Sequence, residues 1–272
     1  MTMEYLRAFL EEDIAGGDIT SELLVPQGKQ AEALITAGFG GIMAGGEEAE
    51  WLFNEGDLNV NRLKQDGERL TAGDEVMRIK GDLRQILLRE RTCLNIMMIM
   101  SGVATETDRV LVACRLRNPA VTIAATRKTF PGLRALQKKA VRLGGGEPHR
   151  NGLGDGILVK DNHIQAVGGM EEVLRLLRFA PSGMEVEIEA ENMDDALLAA
   201  SVADIVMLDN MSPMEAERCY KAIKESYPHV LVEVSGGIGP EEAPLYAKAA
   251  DRISMGYITH SAPSLQFSLH IL

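Results

Sequence analysis

Cationic side chains gather in one short stretch, residues 126–163, of a chain that is otherwise acidic. The whole sequence has 28 Lys and Arg against 40 Asp and Glu, with a formal net charge of -12. The side chains of this stretch that could bind an anion are Arg127, Lys128, His149, Arg150 and Lys160. Arg holds a planar carboxylate through two parallel hydrogen bonds, and Lys supplies a mobile point charge. We therefore predict a site for a small, highly charged anion; the alternative interpretation is a solvated basic surface.

Carboxylates follow at the ends of two consecutive apolar segments further along the chain. These are Glu187 and Asp209. Paired carboxylates bind Mg²⁺ or stabilise positive charge that develops on a sugar carbon, whereas salt bridges with neighbouring cations are the alternative. Glu185 and Glu189 share the strand face of Glu187, because side chains alternate along a strand. The pattern alone leaves the choice among these three glutamates open.

A glycine-rich turn near the carboxyl end of the chain predicts a phosphate site. Ser235, Gly236 and Gly237 follow one apolar segment, and Gly256 follows the next. Glycine lets the backbone approach a phosphate closely, and the helix predicted over Pro240–Ala249 would present free N–H groups to it. A simple flexible turn is the alternative, but the position after a strand and before a helix favours the phosphate.

Alternating strand and helix patterns would position these groups from residue 121 onward. The predicted strands are Val121–Ala125, Gly156–Lys160, Glu185–Glu189, Ile205–Leu208, Val230–Val234 and Arg252–Met255. The predicted helices are Leu133–Arg142, Met170–Arg178, Met193–Ala200, Pro213–Ser226 and Pro240–Ala249. Nearly continuous apolar strands that alternate with helices are typical of a parallel sheet covered by helices. A β/α barrel gathers the carboxyl ends of its strands at one mouth, so the polar strand ends would converge there.

The first hundred residues show a different pattern. Short apolar runs, separated by turn signals, predict strands of a mixed sheet near Ala31–Ala37, Gly41–Ala44 and Glu75–Ile79. The longest helical pattern extends over residues 82–118, and Ser101-Gly102 is expected to break or kink it. The chain is therefore expected to contain a small α/β domain followed by a barrel.

Composition excludes several classes of protein. A negative net charge argues against non-specific binding to nucleic acid, which depends on Lys and Arg. The three cysteines are isolated in apolar surroundings, which predicts reduced core thiols rather than disulfides or a zinc site. The apolar run 93–100 is too short to span a bilayer, and no apolar signal segment follows a basic start. We therefore expect a cytoplasmic protein that binds neither nucleic acid nor membrane.

At this level of detail the chain resembles the quinolinate phosphoribosyltransferases, also called nicotinate-nucleotide pyrophosphorylases (carboxylating). The matching motifs extend over nearly the whole chain in the order of the family. They include Gly17-Asp18-Ile19-Thr20, Glu90-Arg91-Thr92, Ala125-Thr126-Arg127-Lys128-Thr129, His149-Arg150, Lys160-Asp161-Asn162-His163, Leu208-Asp209-Asn210, Ser235-Gly236-Gly237-Ile238 and Thr259-His260-Ser261.

The resemblance implies a type II phosphoribosyltransferase architecture of the α/β class. An N-terminal α/β sandwich would extend over residues 1–105 and be completed by about 260–272, and an incomplete, seven-stranded β/α barrel with the active site would extend over 106–259. The implied assembly is a homodimer or a higher oligomer, with the sandwich of one subunit over the barrel mouth of the other. The implied reaction converts quinolinate and phosphoribosyl pyrophosphate into nicotinate mononucleotide, pyrophosphate and CO₂ with Mg²⁺, in NAD biosynthesis.

The resemblance also implies roles for individual residues. The quinolinate site falls on Arg127, His149, Arg150 and Lys160, with Arg91 supplied by the partner subunit. The phosphoribosyl pyrophosphate site falls on Lys128, Glu187, Asp209, Ser235, Gly236, Gly237 and Gly256. Lys128, Lys160, Glu187 and Asp209 would be catalytic, and Glu187 and Asp209 would hold the metal. The resemblance thus selects Glu187 over Glu185 and Glu189.

Two alternatives stay open from the sequence. One is a paralogue of the molybdate-operon type that acts on another base, because Glu147-Pro148 and the apolar stretch Met97–Met100 depart from the family pattern. The full Lys160-Asp161-Asn162-His163 motif argues against it. The other alternative is a non-catalytic barrel that binds a phosphorylated metabolite, which would not need the complete set of charged strand ends.

Overall fold

The computed structural model describes residues 3–272, which form two compact units. Unit 1 contains the chain up to Asp108 together with Ala135–Gly145 and Ala262–Leu272, and unit 2 contains Arg109–Arg134 and Gly146–Ser261. The predicted domains differ from this division mainly in the segment Ala135–Gly145, which the prediction gave to the barrel. Lys139 in this segment forms ion pairs with Glu47 and Glu48 of unit 1, which explains where the segment belongs.

Unit 1 is built on an antiparallel sheet. Its strands are β1 (Gln30–Ala37), β2 (Gly41–Ile42), β3 (Asn59–Arg62), β4 (Arg69–Leu70), β5 (Glu75–Asp82) and β12 (Phe267–Ile271). The order of the larger sheet is β12-β1-β5-β3, and β2 pairs separately with β4. Every pairing is antiparallel, so the prediction of a mixed sheet was wrong. Along β1 the residues Ala33, Ile35 and Ala37 are buried in alternation, which is why this segment forms a half-buried strand.

Helices accompany this sheet in unit 1. They are a short 3₁₀ helix (Met3–Tyr5), α1 (Leu6–Ile14), α2 (Ile19–Leu24), α3 (Gly46–Asn54), α4 (Leu83–Arg115) and α5 (Arg134–Leu143). Of the predicted break or kink at Ser101-Gly102, a break was wrong, because the helix α4 is continuous there. Ser101 exchanges hydrogen bonds with the backbone of Ala44, and Gly102 allows the carbonyl of Pro263 to approach α4. These tertiary contacts give a structural reason for the pair of small residues.

Replacing Gly102 with Ala should therefore destabilise the protein. The added Cβ would lie 2.2 Å from the Pro263 oxygen and 2.9 Å from Ser264 Cα, and backbone must move to accommodate it. We expect the free energy of unfolding to fall by about 1–3 kcal/mol, and thermal denaturation measures this as a lower Tm. Gly16→Ala is the control, since no heavy atom lies within 4 Å of its Cβ. Equal Tm values for the two variants would contradict the close approach.

Unit 2 is built on a parallel sheet with helices between its strands. Its strands are β6 (Thr122–Ala125), β7 (Ile157–Val159), β8 (Val186–Ala190), β9 (Ile205–Asp209), β10 (Leu231–Ser235) and β11 (Arg252–Met255). The sheet order β6-β11-β10-β9-β8-β7 contains six strands. In place of the seventh expected strand, Glu147 forms a single parallel bridge with Ala124 beside β6. Most residues of these strands are buried, as expected for a parallel sheet covered by helices, although several of the buried residues are charged.

Helices connect these strands, and all but the first and the last of them lie in segments predicted to be helical. They are α6 (Asp161–Val167), α7 (Met170–Leu177), α8 (Met193–Ala200), α9 (Pro213–Ser226), α10 (Ala243–Tyr246) and α11 (Tyr257–His260). The helix α10 is much shorter than the predicted Pro240–Ala249, because turns occupy most of the remaining residues. Across residues 3–272, no helix combines the length and the apolar character needed to cross a membrane. All three cysteines are buried free thiols.

Candidate active site

A cavity of about 500 Å³ lies at the carboxyl ends of the strands in unit 2. Of the predicted site residues, those that line it are Arg127, Lys128, His149, Arg150, Lys160, Asp209, Ser235, Gly236 and Gly237. They come from the ends of β6, β7, β9 and β10 and from the loop after Glu147. Strands that are parallel deliver their carboxyl ends to one mouth, which is why residues so distant in sequence meet here.

Two guanidinium groups make one side of the cavity strongly positive. The Nε atom of Arg127 is buried and has no hydrogen-bond partner within residues 3–272. The pKa of Arg150 is lowered by burial and by repulsion from Arg127. A bound dianion would both satisfy the Arg127 donor and relieve this repulsion.

Another part of the cavity lining combines one cation with two carboxylates. These residues are Lys160, Glu189 and Asp209. Lys160 Nζ lies 2.6 Å from Glu189 Oε1, and the Lys160 backbone N–H donates to His163 Nδ1 at 3.0 Å. His163 thus forms a structural hydrogen bond with the backbone. The pKa of Asp209 is raised by burial and by the nearby carboxylates of Glu189 and Glu191, an effect that Lys160 partly offsets. This crowding of carboxylates favours the binding of a cation.

Of the predicted pair Glu187 and Asp209, Asp209 lines the cavity and Glu187 lies deeper on its strand. Glu189 lines the cavity beside Asp209, whereas Glu187 is 3% exposed and its Oε2 lies 3.2 Å from His149 Nε2. The two glutamates share one face of β8, but Glu189 is two residues closer to the carboxyl end of the strand and so reaches the mouth. Pattern reasoning kept Glu189 among three choices, and the family resemblance selected the deeper residue.

His149 lines the cavity, but both of its ring nitrogens face the protein. Nδ1 accepts the backbone N–H of Arg150 at 2.8 Å, and Nε2 lies close to Glu187 and Glu233. Burial lowers the pKa of His149, but hydrogen bonds with Glu187 and Glu233 outweigh burial and raise it. The Arg150 amide opposes a second ring proton, because it needs the Nδ1 lone pair. The ring proton of His149 therefore lies on Nε2, which faces Glu187 and Glu233.

Two groups of side chains resemble metal ligands. His149, Glu187 and Glu233 bring ligand atoms within 4.8 Å of one another. The Nε of Arg252 already donates to Glu233, and a guanidinium at this point would repel a metal ion. The better oxygen ligands line the cleft that adjoins the cavity: Asp161, Glu189, Glu191, Asp195 and Asp209. Carboxylate oxygens are the ligands that Mg²⁺ prefers.

The glycine-rich turn lies at the cavity with its backbone exposed. Gly236 has a φ of 104°, and a Cβ there would lie 2.5 Å from the Asn210 backbone N, so only glycine fits. Gly237 also has a positive φ, of 61°. Because α10 begins only at Ala243, a phosphate here would meet the N–H groups of the turn rather than those of a helix end.

Gly256 lies directly after β11, beside Lys128 and outside the cavity lining. A Cβ at this position would lie 3.0 Å from His260 Nε2 and 3.1 Å from Lys128 Cδ. The hydroxyl of Thr259 donates to the Lys128 carbonyl at 2.8 Å. Gly256 therefore leaves space for Lys128, while Thr259 holds the backbone of that residue.

Arg91 lies on α4 in unit 1. Its guanidinium is 60% exposed, 3.9 Å from Glu90. Its delivery to the cavity by a second subunit stays a prediction.

Sequence reasoning missed Glu233 and Ser254, which also line the cavity. Glu233 is fully buried within a strand of apolar residues, and Arg252 opposite it is 7% exposed. A charged residue in the middle of the apolar run Val230–Val234 is a signal that could have identified this position, since a buried charge needs a partner.

Comparison with known proteins agrees with this geometry. Residues 18–101 match the N-terminal domain of quinolinate phosphoribosyl transferase, and residues 103–270 match its C-terminal domain. A probable nicotinate-nucleotide pyrophosphorylase (carboxylating) of Methanothermobacter thermautotrophicus is 43% identical over 99% of this chain and 98% of its own. The human nicotinate-nucleotide pyrophosphorylase (carboxylating) is 34% identical over 97% of this chain and 89% of its own.

A solved structure shows the same fold. The nicotinate-nucleotide pyrophosphorylase from Francisella tularensis superposes with a TM-score of 0.91 at 34% identity, covering 100% of this chain and 98% of its own. Both halves of the chain therefore match one family in sequence, and the whole chain matches it in structure. The chain belongs to the quinolinate phosphoribosyl transferase family.

Proposed function

We propose that this chain transfers phosphoribosyl from phosphoribosyl pyrophosphate to quinolinate with loss of CO₂, giving nicotinate mononucleotide and pyrophosphate for NAD biosynthesis. The observation that carries the proposal is the convergence of Arg127, Arg150 and Lys160 on one cavity, with a buried Arg127 N–H that lacks an acceptor in the described chain. Quinolinate has two carboxylates on adjacent ring carbons. Two neighbouring guanidiniums and an ammonium match that charge and geometry.

The second substrate fits the other side of the cavity. Ser235, Gly236 and Gly237 present backbone and hydroxyl groups suited to phosphate, and Lys128 adds a cation for pyrophosphate. Mg²⁺ fits the donor set of Glu189 and Asp209, whose mutual repulsion raises the pKa of Asp209 beyond the effect of burial. When bound, the ion supplies charge neutralisation for the departing pyrophosphate.

The proposed mechanism uses positioning followed by charge stabilisation. Arg127 and Arg150 hold the dianionic ring so that its nitrogen faces the anomeric carbon, which removes much of the entropic barrier. The bond from this carbon to pyrophosphate breaks while the bond to the ring nitrogen forms, and Lys128 stabilises the charge on the leaving group. The bond from the ring to its 2-carboxylate then breaks, CO₂ leaves, and the electron pair left on the ring carbon takes a proton from solvent. Lys160 stabilises the negative charge on the ring during this step.

We further propose a homodimer in the cytoplasm. With a dianion bound, the cavity could accept one more cation. Arg91 is exposed, and it is suited to supply this cation to the cavity of a second subunit. Three buried free thiols accord with a reducing compartment. Sedimentation tests the oligomeric state. Mixing an Arg91→Ala variant with an Arg150→Ala variant tests the shared site, because a mixed dimer would have one site with both arginines and would regain activity there.

A turnover assay tests the function. Quinolinate, nicotinate and other pyridine carboxylates are each incubated with phosphoribosyl pyrophosphate, with Mg²⁺ or with excess chelator, and CO₂ and mononucleotide are followed. We expect product from quinolinate only, and only with Mg²⁺. Product from a different base but not from quinolinate would keep the proposal of phosphoribosyl transfer and contradict quinolinate as the substrate. Binding of phosphoribosyl pyrophosphate without product from any base would contradict the proposal that the chain is an enzyme.

A further inference from the structure

Arg134 is the first residue of α5, a position where a cation is locally unfavourable. The first turn of this helix contains no acidic residue, and a positive charge at a helix N-terminus opposes the helix dipole. The side chain is half-buried and is not part of the cavity lining, and the chemistry proposed above does not use it. A local preference that is violated points to a requirement elsewhere in the fold.

The guanidinium of Arg134 joins two loops of unit 2. Its Nε donates to Thr129 Oγ1 at 3.0 Å, and its Nη2 donates to the Arg127 carbonyl at 3.4 Å. Its Nη1 donates to the Asn151 carbonyl at 2.9 Å. Thr129 and Arg127 belong to the loop after β6, whereas Asn151 directly follows Arg150. A planar guanidinium donates in several directions at once, so one side chain can hold both loops.

Other side chains fix each of these loops by itself. In the first loop, the Lys128 backbone N–H donates to Thr126 Oγ1 at 3.0 Å. In the second loop, the Asn151 backbone N–H donates to Asp155 Oδ2 at 2.7 Å. Arg134 adds a connection from one loop to the other, so that two locally fixed segments keep a fixed spacing.

This connection acts on two groups that repel each other. Arg127 and Arg150 both line the cavity, and repulsion from Arg127 adds to burial in lowering the pKa of Arg150. In the empty cavity, this repulsion favours separation of the two loops. Arg134 opposes the separation through uncharged oxygen acceptors, and these hydrogen bonds form without a bound anion. Groups that are already in place lose less entropy when a ligand binds.

We propose that Arg134 is a positioning residue for the base site: it ties the loop of Arg127 to the loop of Arg150 and sets the spacing of these two guanidiniums before the dicarboxylate binds. This inference rests on the proposed function for the identity of the dianion. Lys128 belongs to one of the tied loops, so loss of the tie should affect both substrates.

The variant Arg134→Lys tests the proposal, because it keeps a positive charge but removes the fork that reaches both loops. We expect the calorimetric Kd for quinolinate to rise about 10-fold and kcat/KM to fall by about 10- to 100-fold, as when groups that orient a substrate are misplaced. Arg142→Lys is the matched control, since Arg142 is an exposed arginine of the same helix. It should change neither quantity. An unchanged Kd in Arg134→Lys would overturn the proposal.

Substitutions at Thr129 separate positioning from folding. Thr129→Val keeps the shape of the side chain but removes the oxygen that accepts from Arg134, and it should weaken quinolinate binding about 5-fold. Thr129→Ser retains this oxygen and should bind quinolinate almost normally. In an Arg134→Ala background, Thr129→Val should cause little further loss, because the hydroxyl has already lost its donor. Fully additive losses, or equal effects of Val and Ser, would contradict the tie.

Hydrogen exchange tests the tie without any substrate. In Arg134→Ala, the backbone N–H groups of both loops, including those of Thr129 and Asn151, should exchange faster, and those of the antiparallel sheet in unit 1 should not. Faster exchange in one loop alone, or in neither, would overturn the proposal. If the unsubstituted protein does not bind quinolinate, the proposed function fails, and the exchange result still decides whether Arg134 ties the loops.

Discussion

Replacing Arg150 with alanine should lower kcat/KM for quinolinate by at least about 10²-fold, or about 2.7 kcal/mol of transition-state stabilisation. Arg150 lines the cavity, and both burial and repulsion from Arg127 lower its pKa. A dianion placed between the two guanidiniums converts that repulsion into attraction, so Arg150 contributes most when quinolinate is bound. Steady-state kinetics with each substrate varied in turn measure the loss.

The change should appear mainly in the KM for quinolinate. The KM for phosphoribosyl pyrophosphate should change little, because its expected contacts are Lys128 and the turn at Ser235–Gly237. Arg175→Ala is the control: Arg175 is an exposed cation of the same unit, paired with Glu172 on α7. Near-normal kinetics of Arg150→Ala, or an equal loss in Arg175→Ala, would remove Arg150 from the base site.

Elements with strong local signals could be predicted from the sequence. The helices α8 and α9 begin and end as predicted, because Asn192 and Ser212 cap their N-termini with side-chain hydrogen bonds and Pro213 occupies the first turn. The strand β11 also has its predicted bounds, although the polar residues Arg252 and Ser254 alternate in it with apolar ones. The convergence of the strand ends followed from parallel topology alone, which is why most of the cavity lining was predictable.

Features decided by long-range contacts could not be predicted in this way. Gly102 is a helix breaker by propensity, yet α4 continues through it because Pro263 packs against that point. Glu187 and Glu189 look equivalent in sequence, and only the depth of each along β8 separates them. The direction of Glu147 depends on Arg252, a residue more than a hundred positions later in the chain.

The same limitation applied to the base specificity. From the sequence, Glu147 beside the base site was a reason to consider another substrate. In the structure its carboxylate lies 3.4 Å from Arg252 Nη1 and is not part of the cavity lining. The departure that favoured a paralogue is thus compensated by a second charged residue, and the remaining cavity charges fit a dicarboxylate.

Replacing Lys160 with alanine should reduce kcat by at least about 10²-fold, with a smaller change in the KM for quinolinate. Lys160 Nζ lies 2.6 Å from Glu189 Oε1, so in the absence of substrate its charge is already paired. In the proposed mechanism the ammonium acts when negative charge develops on the ring as CO₂ leaves, and that charge is absent from the ground state. An interaction made only in the transition state lowers kcat when it is removed.

Two measurements separate this role from a loss of general positive charge. First, Lys160→Ala should retain the quinolinate Kd within about 5-fold, a smaller loss than a direct charge-assisted contact to the ground state would give. Second, phosphoribosyl transfer without decarboxylation would become detectable in a single turnover as pyrophosphate release that precedes CO₂ release. Lys221→Ala, which removes an exposed lysine paired with Glu217 on α9, is the control and should change neither quantity. Simultaneous release of pyrophosphate and CO₂ at the normal rate in Lys160→Ala would show that decarboxylation does not depend on this ammonium. Another group in the cavity would then have to stabilise the negative charge on the ring.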